Sequence, residues 1–272
     1  MPSYQHVVLE RDPDTHIAKL TINRPDRRNA MNDQTTDEMS DAIENVEADD
    51  STRVLILTGA DRTFCAGGDL EALRGGSELG TWAADTPDEV RRSFRRAQRL
   101  MLGLQRLEKP VIGMINGAAV GAGFDLAAVC DIRIGCPRSR FMVGYVRLGL
   151  FPGFGGTWLY TRTLGSLGKA AELLFTGDFL EADEAYRVGF LNRLVPEEDL
   201  ESATMEMARK IGDGPPIAMR LAKLMLYKGL DFDLETAMKM AAAAETITLT
   251  SKDHEEGIAA FRESRKPVYE GR

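Results

Sequence analysis

The alternation of apolar and polar positions divides the chain into a strand-bearing front and a helical rear. Two short apolar segments, residues 6–9 and 17–22, flank the turn-rich stretch 11–15 and predict a hairpin. Met39, Ala42, Ile43 and Val46 recur at helical spacing with acidic residues opposite, which predicts a helix over 34–47. The run VLILT at 54–58, bounded by Arg53 and a turn at 59–61, suits a strand covered on both faces. Helical spacing returns over 87–107, and VIGMI at 111–115 predicts a second buried strand followed by glycine-rich turns. Shorter strands are expected at 132–135, 141–143 and 191–195, with helices over 156–163, 167–175 and 182–188. Beyond Pro196 every segment reads as helix, over 199–211, 217–227, 234–250 and 252–264, the first two separated by Gly214-Pro215-Pro216.

This order predicts an α/β core over residues 1–200 and a helical region over 201–272. Met225, Leu226, Met238, Met240, Ile247 and Phe261 give the rear helices more apolar surface than a simple tail needs. Two readings stay open: these side chains pack on the chain's own core, or they bury against another subunit.

Composition removes several classes of function. A length of 272 residues with 43% hydrophobic content allows one large core. A net charge of −8 leaves no basic footprint for nucleic acid, whose phosphates require clustered Lys and Arg. The opening MPSYQHVVLERDPD has neither a basic n-region nor an apolar h-region, and no apolar run is long enough to span a bilayer, so a cytoplasmic protein without a membrane segment is expected. Cys65, Cys130 and Cys136 form no CxxC pair and are expected as reduced, buried thiols. With only His6, His16 and His254, few parts exist for a metal site or a Ser/His/Asp triad, and no metal is expected.

Candidate chemistry lies in two glycine-rich turns, each placed after a buried strand. The first is Phe64-Cys65-Ala66-Gly67-Gly68-Asp69-Leu70, ahead of a helix-prone stretch; the second is Asn116-Gly117-Ala118-Ala119-Val120-Gly121-Ala122-Gly123. Small residues let peptide N–H groups approach a ligand, and a following helix start adds unpaired donors. Together two such turns can hold one oxyanion. On glycine content alone they are equally ordinary strand-to-helix turns. Neither has the Lys-[Ser/Thr] of a P-loop or a GxGxxG dinucleotide fingerprint.

Several blocks carry a family resemblance: Ile22-Asn23-Arg24-Pro25 with Asn29-Ala30-Met31, the Phe64 to Leu70 turn, PVIGMINGAAVGAGFDLAAVCD at 110–131, LGLFPGFGGTW at 148–158, and Glu256-Gly257-Ile258-Ala259-Ala260-Phe261. In this order they resemble the successive signatures of the enoyl-CoA hydratase/isomerase, or crotonase, superfamily. The resemblance implies a spiral of repeated ββα units and a helical C-terminal region that drives assembly as a homotrimer or a dimer of trimers. It implies no bound cofactor, with coenzyme A arriving as part of an acyl-CoA substrate. It also implies that the oxyanion-hole N–H groups fall on Gly68 and Ala122, Ala30 on an adenine-contacting turn, and Ala66 and Leu70 beside adenine and pantetheine. Arg27 and Arg28 flank that turn, where a guanidinium can meet phosphate; as surface residues they can equally be solvated charges. Phe261 matches an aromatic lining the CoA channel of a neighbouring subunit, and the family's nearby Lys falls on Ser264, leaving Arg265 or Lys266 as substitutes.

The acid/base positions depart from the standard hydratase pattern. Where that pattern has two glutamates, this chain has Asp125 and Tyr145, and where some isomerases carry a loop carboxylate it has Gly153. A phenol of pKa about 10 is a poor base at neutral pH but a competent donor. Asp125 on a short apolar helix is costly unless hydrogen-bonded or functional. The Asp125–Tyr145 pair can shuttle a proton in double-bond isomerisation or assist hydration. Gly155-Gly156-Thr157-Trp158 resembles ring-modifying isomerases, and Trp82 with Phe94 suits a bulky or cyclic acyl group, or simply packs. Asp69 is expected to order the first turn and Glu71 to face solvent. A CoA-thioester hydrolase or C–C-cleaving enzyme, and a catalytically weak acyl-CoA-binding relative, are the competing readings.

Overall fold

The computed structural model describes residues 3–71 and 86–272. Its strands are β1 (Val7–Asp12), β2 (Ile17–Ile22), β3 (Val54–Gly59), β4 (Thr63–Cys65), β5 (Val111–Ile115), β6 (Ala118–Val120), β7 (Ile132–Gly135), β8 (Arg140–Met142), β9 (Phe179–Glu181) and β10 (Arg193–Leu194). Its helices are α1 (Asp33–Glu47), α2 (Pro87–Arg106), α3 (Ala122–Val129), α4 (Gly156–Thr163), α5 (Leu167–Thr176), α6 (Ala182–Arg187), α7 (Leu200–Gly212), α8 (Pro216–Lys228), α9 (Leu234–Leu249) and α10 (Lys252–Glu263).

One sheet runs β1-β2-β3-β5-β7-β10 and a second runs β4-β6-β8-β9. The strand pairs β3/β4, β5/β6 and β7/β8 each place their first member in the larger sheet and their second in the smaller one. Each turn of the chain therefore adds one parallel strand to both sheets before a helix carries it back, which is a ββα spiral. The period-2 pattern decides which face each side chain takes. Leu55, Leu57, Val111 and Ile115 join the core shared with α1 and α2, whereas Val54, Ile56, Ile112 and Met114 meet Leu200 and Ala208 of α7 on the opposite face. Burial on both sides explains why VLILT carries no polar alternation, and each such side chain contributes about 1.5–3 kcal/mol.

Helix boundaries follow local chemistry. Asn32 caps α1 by accepting from the Thr35 N–H at 2.9 Å, which starts the helix one residue before the predicted 34. At α2, Thr86 and Glu89 form a reciprocal capping box ahead of Pro87.

The rear helices are held loosely by comparison. Asp131, before β7, accepts from Tyr227 at 2.6 Å and pairs with Lys223 at 2.8 Å, tying α8 to the core. Lys223 is the one buried residue of α8, and α9 has none. Leu226, Met238, Ile247 and Phe261 are 71%, 64%, 51% and 86% exposed, so these apolar side chains do not pack on the chain's own core. Among the described residues no helix is long and apolar enough to cross a membrane.

The turn before α1 is fixed by one buried amide. Asn29 accepts from the Arg24 N–H at 3.0 Å and donates to the carbonyls of Ala60 at 2.8 Å and Thr63 at 2.7 Å, with φ of 56°. Asn29→Ala strands three main-chain groups and places alanine in the left-handed region, so it is expected to destabilise by about 3–4 kcal/mol in urea unfolding. A loss below about 0.5 kcal/mol, the range of ordinary surface substitutions, would show that this side chain does not hold the turn.

Candidate active site

The two glycine-rich turns meet. A Cβ on Gly123 would lie 2.1 Å from the Cys65 carbonyl oxygen, and one on Gly67 would lie 2.5 Å from the Val120 carbonyl and 3.5 Å from the Ala122 nitrogen. Only glycine permits this backbone contact, and Gly67 in addition has φ of 93°. The first turn is also pinned to Met31, whose N–H donates to Gly67 O at 2.7 Å and whose carbonyl accepts from Asp69 N at 2.8 Å. That bridge leaves the intervening Gly68 N–H on the opposite edge. Ala122 opens α3 directly after Gly121, so its N–H precedes any intrahelical acceptor. Among the described residues, neither amide has an acceptor.

Both amides border one cavity of about 470 Å³. Ala66, Leu70 and Tyr145 share it, and Val90, Phe94, Met142, Leu148, Phe151 and Phe154 make its walls largely apolar. Gly153 lines it as well, and a Cβ there would stand 2.3 Å from the Phe94 ring. Phe94 thus occupies the room that a side chain at 153 would need. Trp82 lies outside the described residues.

Asp125 is fully buried and does not border the cavity; Tyr145 stands between. The Tyr145 hydroxyl donates to Asp125 Oδ2 at 2.6 Å, and the Tyr160 hydroxyl donates to Oδ1. Burial pushes the Asp125 carboxyl up to about 7, against which the two hydrogen bonds act in the opposite direction. Burial, reinforced by the Asp125 charge, raises both phenols well above their usual value. The result is a carboxyl poised near neutrality that, among the described residues, is reached from the cavity through a phenol.

The remaining predicted residues divide by location. Asp69 is held in a buried pair with Arg24 at 3.1 Å and accepts from the Glu71 N–H at 3.1 Å, a turn-ordering arrangement. Arg24 also donates to the Ala30 carbonyl at 2.5 Å. Arg27 pairs with Glu71 at 3.1 Å, so Glu71 is exposed but partnered. Arg28 is exposed in a left-handed conformation, and its carbonyl accepts from Ala66 N at 3.0 Å. Arg27, Arg28 and Ala30 therefore sit behind the first turn and do not line the cavity. Phe261 borders a different cavity, of about 530 Å³, beside Pro215 and Tyr269. The three cysteines are buried and unpaired, and burial pushes the Cys65 and Cys130 thiols up to about 12. No group of three or more His, Cys, Asp or Glu side chains suited to a metal occurs among the described residues.

Two site residues escaped sequence reasoning. Tyr160 lies four residues past Gly156, a helical spacing that carries no chemical signal by itself. Arg24 was part of a recognised block, but its partner Asp69 is distant in sequence.

Residues 12–272 match the enoyl-CoA hydratase/isomerase family. The chain is 36% identical over 265 residues to crotonyl-CoA hydratase of Syntrophomonas wolfei, covering 97% of each protein. It is 34% identical over 262 residues to 1,2-epoxyphenylacetyl-CoA isomerase of Escherichia coli K12, covering 95% of this chain and 98% of that one. A crystal structure of enoyl-CoA hydratase from Bacillus anthracis superposes with a TM-score of 0.90 at 34% identity, over 98% of this chain and all (100%) of the other. The chain belongs to the enoyl-CoA hydratase/isomerase family and is an enzyme of the crotonase fold.

The buried carboxyl has a measurable cost. In the unfolded chain Asp125 ionises near its ordinary 3.8, in the folded one near 7, so stability falls as pH rises between these values and is level above. Asp125→Asn removes this dependence. Its stability relative to wild type is expected to increase by about 2–3 kcal/mol from pH 5 to pH 8 in urea unfolding. An equal offset at both pH values would rule out a carboxyl that resists ionisation.

Proposed function

We propose that this enzyme moves a proton on an unsaturated acyl-CoA, shifting a double bond through a thioester enolate. The observation that carries the reading is the pairing, across one apolar cavity, of two amides that have no acceptor among the described residues with the Tyr145–Asp125 pair. The N–H groups of Gly68 and Ala122 hold the thioester oxygen and stabilise the charge that develops there. The C–H bond at the α or γ carbon breaks, its electron pair enters the enolate, and the proton goes to the Tyr145 oxygen. At the same time Tyr145 passes its own proton to Asp125, so no phenolate accumulates. Reversal of both transfers at the other carbon completes isomerisation.

Isomerisation needs one acid/base pair. Hydration by two carboxylates does not fit, because Asp125 is the one carboxylate at these positions and it stands behind Tyr145. The Escherichia coli relative is named for isomerisation of a cyclic acyl group, and the Phe94 ring against bare Gly153 forms a wall suited to a flat or bulky one. Hydration is the second reading, favoured by the name of the Syntrophomonas relative.

The same reading assigns residues 1–200 to the catalytic spiral and 201–272 to assembly as a homotrimer or dimer of trimers. The bare apolar surface of α9 and the exposed Phe261 support assembly, with Phe261 reaching a neighbour's CoA. Coenzyme A enters as part of the substrate, with Ala66 and Leu70 at the cavity edge and Ala30 behind. Arg28 is the guanidinium better placed for phosphate, because Arg27 is already paired with Glu71.

Mass spectrometry of products formed in D2O from linear and cyclic enoyl-CoAs tests the reaction. Deuterium at the α or γ carbon with no water added is expected; water addition as the main outcome would select hydration instead. Asp125→Asn and Tyr145→Phe should each lower kcat by about 10²- to 10⁴-fold. Ala122→Pro removes one donor at a helix position that accepts proline, and kcat/KM should fall by about 100-fold or more. Activity equal to wild type in Ala122→Pro would eliminate that amide as a donor.

A further inference from the structure

The structure assigns Tyr160 the role of a positioning residue: its hydroxyl occupies one carboxyl oxygen of Asp125, leaves the other to Tyr145, and so fixes the proton path from carboxyl through phenol to cavity. This inference rests on the proposed relay and extends it to a residue that never meets substrate.

Tyr160 is fully buried on α4 and does not border the cavity. Its ring stacks on Phe124, one residue before Asp125, with centroids 4.6 Å apart and planes at 29°. Phe124 is itself wedged edge-on against Phe190 at 5.1 Å. The ring therefore has little freedom, and its oxygen is delivered to Asp125 Oδ1. Gly156, at the start of the same helix, makes the approach possible: a Cβ there would lie 2.6 Å from Oδ1 and 2.7 Å from the Tyr160 ring.

Among the described residues, the groups facing this carboxyl are few. Tyr145 approaches from the turn Tyr145–Leu148 and Tyr160 from α4, while the Cys65 thiol of β4 acts on Tyr145. No cation is among these partners to stabilise a charge on Asp125. Without the Tyr160 hydroxyl, Oδ1 would be buried and unpaired, and the neutral acid would be favoured further. A carboxyl that stays protonated cannot accept a proton through Tyr145. The second tyrosine thus keeps the first one's partner able to ionise at neutral pH.

Tyr160→Phe keeps the ring stack and removes only the oxygen. Carboxyl 13C NMR of substrate-free protein, with the Asp125 signal identified by its absence in Asp125→Asn, reads the carboxyl directly. Its titration midpoint should move to higher pH in Tyr160→Phe, and the acid limb of kcat/KM should move with it. Turnover should fall tenfold or more at pH 6, recover at pH 9, and leave KM within about twofold. Gly156→Ala, whose methyl would press on both Asp125 Oδ1 and the Tyr160 ring, should move the midpoint the same way. An unchanged carboxyl titration, or a loss of kcat equal at every pH, overturns the role of Tyr160. Because the NMR reading needs no substrate, a wild type inactive on every enoyl-CoA would instead overturn the relay itself.

Discussion

Everything at this site depends on two backbone turns touching without side chains between them. The carbonyl of Cys65 lies where any Cβ at residue 123 would be, and the carbonyl of Val120 lies where one at residue 67 would be. Contacts of this kind have no soft component: a methyl group at either place forces main chain apart. Both turns are also anchored from behind, the first through Met31 and Asn29 and the second through the strand-to-helix step at Gly121. Donor direction is therefore set by the spiral and not by any rotamer. In the proposed reaction this rigidity makes a pair of weak dipoles useful, since preorganised donors need no rearrangement when charge develops.

The electrostatics of Asp125 show the opposite strategy. Its place on an apolar helix is unfavourable, and the compensation comes from neutral hydroxyls and no cation. An arginine partner would hold the group ionised and make it a feeble base. Two phenols leave it near neutrality, where either protonation state is accessible at low cost.

The sequence conveyed the frame well and the long-range pairings poorly. VLILT and VIGMI were legible as buried strands because residues of both parities are apolar, and the glycine turns were legible because small residues cluster after them. The short strands β4, β6 and β9 were not, since three residues give little period to detect and the first two of them sit inside glycine-rich runs. Asp125 and Tyr145 could be singled out by chemical type, but that Asp125 lies wholly behind Tyr145 is a matter of depth, which spacing does not encode. Tyr160 had no distinguishing feature at all: an aromatic on a short helix is usually core, and its partner is 35 residues away. The apolar face of the rear helices was visible, while its exposure in the single chain required the packing of α8 on Asp131 to be known.

The contact between Phe94 and Gly153 has a consequence for how this site can change over time. A side chain at 153 would overlap the edge of the ring at 94, so that substitution requires the ring to move. A smaller residue at 94 opens that space without such a shift. The two positions are therefore coupled: what residue 153 can be depends on the size of residue 94, so a lineage or a designer placing a side chain there also reshapes this wall of the cavity.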